Sequence, residues 1–102
     1  MKFNLIGTKE ILDFEKELNL ELVVNERPKS YNLPIYWVSF EYAELMEHGT
    51  LCSAFGNGNT IDEAIQDYCK EIETKRMALH AYSDERREVV CPKLTHTKLL
   101  GR

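Results

Sequence analysis

Ile61, Ala64, Ile65, Tyr68, Cys69 and Ile72 recur at helical spacing, with Asp62, Glu63, Gln66, Asp67, Lys70 and Glu71 between them. An apolar stripe with a charged back marks a helix that must bury one side, and the surface that fits it is a sheet. The stripe follows directly on Phe55-Gly-Asn-Gly-Asn-Thr60. Thr60 and Glu63 fit a capping box, the hydroxyl accepting from the Glu63 amide and the carboxylate reaching back to Thr60. Gly56 and Gly58 read as a tight strand-to-helix turn that uses positive φ. As a phosphate cradle the segment is poor, since it lacks the Lys-Ser/Thr of a P-loop and the glycine spacing of a dinucleotide site.

The sheet itself is announced by IYWVSFEY, in which Tyr36, Val38, Phe40 and Tyr42 alternate with Trp37, Ser39 and Glu41. A turn around Glu47-His48-Gly49 leads to TLCSAF, the predicted hairpin partner. Upstream, Thr8 is a plausible N-cap for a helix from Lys9 to Leu18, where Ile11, Phe14 and Leu18 share one side. Leu20 to Val24 reads as extended, and Pro28 and Pro34 bracket the loop after it. Downstream, RMALHAY and EVVC read as two strands around Ser83-Asp84-Glu85, with Pro92 ending the second. The predicted order is α-β-β-β-α-β-β, a two-layer α+β domain with its helices on one face of an antiparallel sheet. Residues 1–92 form one domain and residues 93–102 a flexible tail in this reading.

With 102 residues, 43% of them hydrophobic, the chain can bury one core without metals or disulfides. Cys52, Cys69 and Cys91 are odd in number and contain no C-x-x-C pair, so they read as buried thiols. His48, His80 and His96 lack metal-ligand spacing, and Cys91 and His96 read as loop residues; neither a metal nor a cofactor is expected. No apolar run approaches the ~18 residues of a membrane span, and the apolar stretch in MKFNLIGTKE is too short for a signal peptide. These features predict a cytoplasmic protein with no membrane association.

Charge is distributed unevenly. Between Ser30 and Cys69 there is no Lys or Arg, while Glu41, Glu44, Glu47, Asp62, Glu63 and Asp67 all fall there. From Arg76 onward Arg76, Arg86, Arg87, Lys93, Lys98 and Arg102 face only Asp84, Glu85 and Glu88. The formal net charge of −4 repels a phosphate backbone at long range and argues against direct nucleic-acid binding.

A helix, three strands and Gly-x-Gly-x-Thr opening a second helix resemble the double-stranded-RNA-binding domain over roughly Thr8 to Ile72. In that family the helix start carries lysines that grip phosphates; here Asp62 and Glu63 stand there, so the resemblance is one of topology. TIDEAI, Thr60 to Ile65, is similar to the helix start of HicB-type antitoxin domains, although no helix-turn-helix or ribbon-helix-helix segment follows. As a whole, Leu20–Val24 with Arg27-Pro28-Lys29, then Leu33-Pro34, then Phe55 to Thr60 with Glu63-Ala64, resembles small acidic proteins of Gram-positive phages and mobile elements. Some of these are anti-CRISPR proteins that block a type II RNA-guided nuclease.

That resemblance implies a non-enzymatic inhibitor acting in a bacterial host cell, whose partner is a type II CRISPR-Cas nuclease and which blocks guide-RNA loading or target-DNA binding. The nuclease holds its heteroduplex in a positively charged channel for which an acidic protein could compete. Glu41, Glu44, Glu47, Asp62, Glu63 and Asp67 form the expected contact set, and Trp37 and Tyr42 are candidate aromatic anchors. The alternative is a phage regulatory or antitoxin-like module, for which Arg76, Arg86, Arg87, Lys93 and Lys98 become the contact surface. Trp37, Tyr36 and an edge strand also make a homodimer conceivable. The carboxylates carry no recognisable catalytic motif, and no Ser-His or Cys-His-Asn pattern appears.

Overall fold

In the computed structural model, which describes residues 8–29 and 32–97, the chain folds as an α+β domain. Its elements are β1 (Lys9–Glu10), α1 (Ile11–Glu17), β2 (Leu22–Glu26), β3 (Tyr36–Phe40), β4 (Ala43–Glu47), β5 (Thr50–Cys52), β6 (Gly56–Gly58), α2 (Ile61–Ile72), β7 (Arg76–Leu79), β8 (Arg87–Val90) and β9 (Leu94–Thr95). The antiparallel strands form two sheets rather than one, β2-β3-β6 and β5-β4-β7-β8, and β1 pairs with β9 in parallel. No helix among the described residues is long and apolar enough to cross a membrane.

Helix α2 forms where the stripe predicts it and buries Ala64, Ile65, Tyr68, Cys69 and Ile72. Thr60 is its N-cap, accepting from the Glu63 amide at 3.1 Å. The Glu63 carboxylate closes the box on the Asn59 amide (3.0 Å), one residue before the position predicted. The glycine segment ahead of it is a strand, not a turn: Gly58 and Gly56 register with Tyr36 and Val38 of β3. Neither glycine has positive φ; only Gly49 does among the described glycines. Space is the reason for them. A Cβ on Gly56 would overlap the Ala64 carbonyl and the Tyr68 amide, and one on Gly58 would overlap the Ala64 amide and Glu63. The helix backbone lies directly on the strand.

That close approach lets α2 finish what the short strand leaves open. The Tyr68 hydroxyl accepts from the Phe40 amide at 3.1 Å, at the level where β6 has ended. Asp67 accepts from the Asn57 amide (2.9 Å) on the outer edge of β6. On the opposite edge, Glu15 of α1 accepts from Leu22 (2.7 Å). Side chains thus occupy outward amides on both sheet edges, which blunts edge-to-edge pairing of copies. Between the layers, Phe40 packs on Phe14 and edge-on to Tyr68, with ring centroids 6.0 and 5.6 Å apart.

Other boundaries differ from the expectation for local reasons. Helix α1 starts at Ile11 with Glu10 as N-cap instead of Thr8, because Lys9 and Glu10 are drawn into the pair with β9. Strand β2 begins at Leu22 because the Leu20 amide still closes α1 on the Glu15 carbonyl (2.9 Å). Strand β3 stops at Phe40, since Tyr42 takes φ 62° and leaves the face of Tyr36, Val38 and Phe40. The chain then enters β4, and β4, not β3, is the hairpin partner of Thr50–Cys52 across His48-Gly49. The strand predicted through Tyr82 ends at Leu79, where His80 also turns left-handed. The flexible-tail reading is corrected for Leu94 to Thr97: Leu94 and His96 are buried, and Thr97 donates to Glu10. Residues 98–102 lie outside the described residues.

Gly58→Ala is therefore expected to cost about 3 kcal/mol or more, as backbone must move to admit the methyl group. Gly49→Ala, left-handed but with nothing near its Cβ position, is expected to cost about 1–2 kcal/mol. Urea unfolding of the two variants checks the order; equal losses would contradict the close-packing account.

Candidate functional site

Of the six predicted acidic contacts, the fold uses four internally. Glu63 and Asp67 accept the main-chain bonds described above, and Glu47 pairs with Lys75 at 3.5 Å. Asp62 faces His96, its Oδ1 3.0 Å from Nε2. His96 is buried, and its Nδ1 lies 3.5 Å from Oε2 of the buried Glu10. Glu10 in turn accepts from the Thr97 hydroxyl (2.9 Å) and from the Thr97 amide at 2.6 Å. This His96 hub ties β1, β9 and α2 together, so the loop assignment of Cys91 and His96 is corrected: both are core residues. Nothing local in the sequence signals it, because Glu10 and His96 are 86 residues apart.

Glu41 and Glu44 are different. They flank Tyr42, and no ion pair engages either among the described residues. Tyr42, 62% exposed, stacks on His80 with centroids 5.4 Å apart and planes at 27°. The His80 amide donates to the Tyr42 carbonyl at 2.8 Å. Both residues are left-handed, φ 62° and 53°. The other left-handed non-glycine residues sit at helix ends (Asn19, Thr74) or in the hairpin (His48). A left-handed tyrosine opposite a left-handed histidine costs about 1–3 kcal/mol per residue, which the surrounding ladder has to hold.

Beside this pair lies a cavity of about 560 Å³, lined by Tyr42, Glu44, His80, Ala81, Tyr82, Ser83, Asp84 and Glu85. Tyr82 is 84% exposed. One carboxylate oxygen of Glu44, Oε1, is buried and accepts no hydrogen bond from the described residues. A smaller cavity that shares Tyr42 and His80 in its lining is lined also by Glu21 and Glu41. Carboxylates therefore line both cavities that share the Tyr42–His80 stack. Sequence reasoning picked out Glu41, Glu44 and Tyr42 but missed His80 and Tyr82, which read as strand residues, and gave Asp84 and Glu85 only a turn.

Trp37 is half-buried on the other side of the β2-β3-β6 sheet from α2. Phe55 meets its ring edge-on at 5.1 Å, and the Arg27 guanidinium lies 5.7 Å from its centroid. Arg27 is fixed by the Pro34 carbonyl and the Asn57 side chain. The alternative basic set is dispersed. Arg86 pairs with Glu88, Arg87 donates to the Leu18 carbonyl, and Arg76 and Lys93 are exposed on separate elements. Lys98 lies outside the described residues. Among those residues no three of His, Cys, Asp and Glu are grouped to hold a metal ion.

Burial pushes the Cys69 and Cys91 thiols and the Tyr68 phenol up to about 12. Loss of hydration is the largest cause in each, and Glu10 adds to it at Cys69 and Cys69 at Cys91. In the unfolded chain the thiols ionise near 9 and the phenol near 10. A group raised in the folded state stabilises fully below its unfolded pKa and loses that contribution as pH climbs toward the folded value. Stability is therefore expected to fall from about pH 9 toward pH 12, read from urea midpoints, and Cys69→Ala/Cys91→Ala should flatten the decline. A wild-type midpoint constant over that range would contradict these burials.

Asp62→Ala is expected to lose about 1–3 kcal/mol by leaving His96 Nε2 without its partner, whereas Asp84→Ala should leave thermal stability within about 0.5 kcal/mol. No protein-family model, curated protein or solved structure matches the chain, so the reading of this site rests on its own geometry.

Proposed function

We propose that the protein is a non-catalytic binding module that captures a basic surface of a partner protein on the end built by the β3–β4 turn and the β7–β8 loop. The observation that carries this reading is the group Glu41, Glu44, Asp84 and Glu85, in no ion pair among the described residues, around the Tyr42–His80 stack. Unpaired carboxylates steer a basic partner, and exposed tyrosines supply anchoring area. Asp62, Glu63, Asp67 and Glu47 are engaged within the fold and drop out of the contact set. Trp37, already covered by Phe55 and Arg27, is a weaker anchor than Tyr42 or Tyr82.

In the specific form that the sequence resemblance implies, the partner is a type II RNA-guided nuclease, and the acidic end competes for its positively charged nucleic-acid channel. The regulatory reading with a basic contact surface has less support, because Arg86 and Arg87 are engaged and, among the described residues, Arg76 and Lys93 lie on separate segments.

An order-of-addition cleavage assay tests the proposal. The protein is expected to inhibit when added before guide RNA or before target DNA, and to lose potency as salt rises. Glu41→Lys/Glu85→Lys should weaken inhibition by about tenfold or more, while Arg86→Glu should leave it unchanged. Absence of inhibition in every order, with a working control inhibitor, would overturn the nuclease form.

A further inference from the structure

Which cation would the larger cavity take? We infer that it is a socket for a guanidinium group, filled by an arginine side chain of the partner; this rests on the reading of the protein as a module for a basic surface. Three carboxylates, Glu44, Asp84 and Glu85, line the cavity, and no Lys or Arg among the described residues does. The three carboxylates repel an anionic or phosphate-bearing ligand and attract a cation. Oε1 of Glu44 is buried and accepts no hydrogen bond from the described residues, which adds to the preference. A carboxylate that lines the cavity with no cation paired to it among the described residues favours a positive group beside it.

The aromatic geometry decides between cations. Tyr42 and His80 are stacked on each other at 5.4 Å and 27°, so each ring has one face already covered. Such a pair cannot wrap a tetrahedral ammonium as an aromatic cage does. It can be extended by one more flat group, and guanidinium is the flat cation among side chains. Guanidinium is also less strongly hydrated than ammonium, and its fork of N–H donors matches a carboxylate. Tyr82, almost wholly exposed at the rim, provides a further ring for the arginine stem. Tyr42 and His80 are held in their left-handed conformations by the hydrogen bond between them, so the platform is formed before the ligand arrives.

The test is an amide-resonance titration of the full chain with capped Gly-X-Gly peptides in which X is arginine, lysine or citrulline. The arginine peptide is expected to shift Tyr42, Glu44, His80 and Tyr82 saturably and to bind about threefold or more tighter than the lysine peptide. Citrulline, of the same shape but uncharged, should not bind. Glu44→Gln is expected to weaken arginine binding about tenfold, and Tyr82→Ala, at an exposed position that folding does not need, about threefold. Equal binding of arginine and citrulline, shifts confined to other residues, no shifts, or a nucleoside monophosphate bound at these resonances would each overturn the inference. Its failure is separable from that of the nuclease reading. Inhibition by a Glu44→Gln/Tyr82→Ala variant at full potency sinks the socket and spares the inhibitor, while arginine binding without inhibition in any order does the reverse.

Discussion

The contact on which the rest of the structure depends is the seating of α2 on β6 with no side chain between them. Two glycines in a three-residue strand bring a helix backbone within reach of the sheet. At that distance Tyr68 can pass the end of the strand and take the amide of Phe40, and Asp67 can take the edge amide of Asn57. A conventional spacing, with side chains interleaved, would leave both amides without these partners and separate Tyr68 from Phe40. The helix therefore serves as cover for the sheet and also as the continuation of its hydrogen bonding.

This arrangement sorts the carboxylates. Glu10, Asp62, Glu63 and Asp67 are consumed as caps, an edge cover and partners of His96, whereas Glu41, Glu44, Asp84 and Glu85 enter no ion pair among the described residues. The net negative charge is thus a poor guide to function when taken as a total. In the proposed function its working share is Glu41, Glu44, Asp84 and Glu85, which line the cavities beside two aromatic rings.

Much of the layered architecture could be read from the chain. The stripe of α2, its Thr60 cap, the β3 alternation and the hairpin turn at His48-Gly49 are local patterns with local causes. What escaped reading was set by distant contacts or by unusual backbone. Glycines 56 and 58 look like a turn because their strand pairing and the overlying helix are visible only in three dimensions. Glu10 and His96 carry no sign of each other. Tyr42 and His80 continue good strand sequences, and nothing in tyrosine or histidine announces a left-handed residue. The candidate site sits at the two points where strand propensity is overruled, which is why only Glu41, Glu44 and Tyr42 were legible as site residues.

The parallel pair of β1 and β9 has a consequence in time. It joins residues more than eighty positions apart, and two residues per strand gain little until the sheets and α2 that flank them are in place. Closing so long a loop is entropically unfavourable before that scaffold exists. The pair and the His96 hub should therefore be the last part of the chain to assemble and the first to come apart. A short-lived state with both ends released and the glycine-strand core intact is the natural intermediate between the native protein and the unfolded chain.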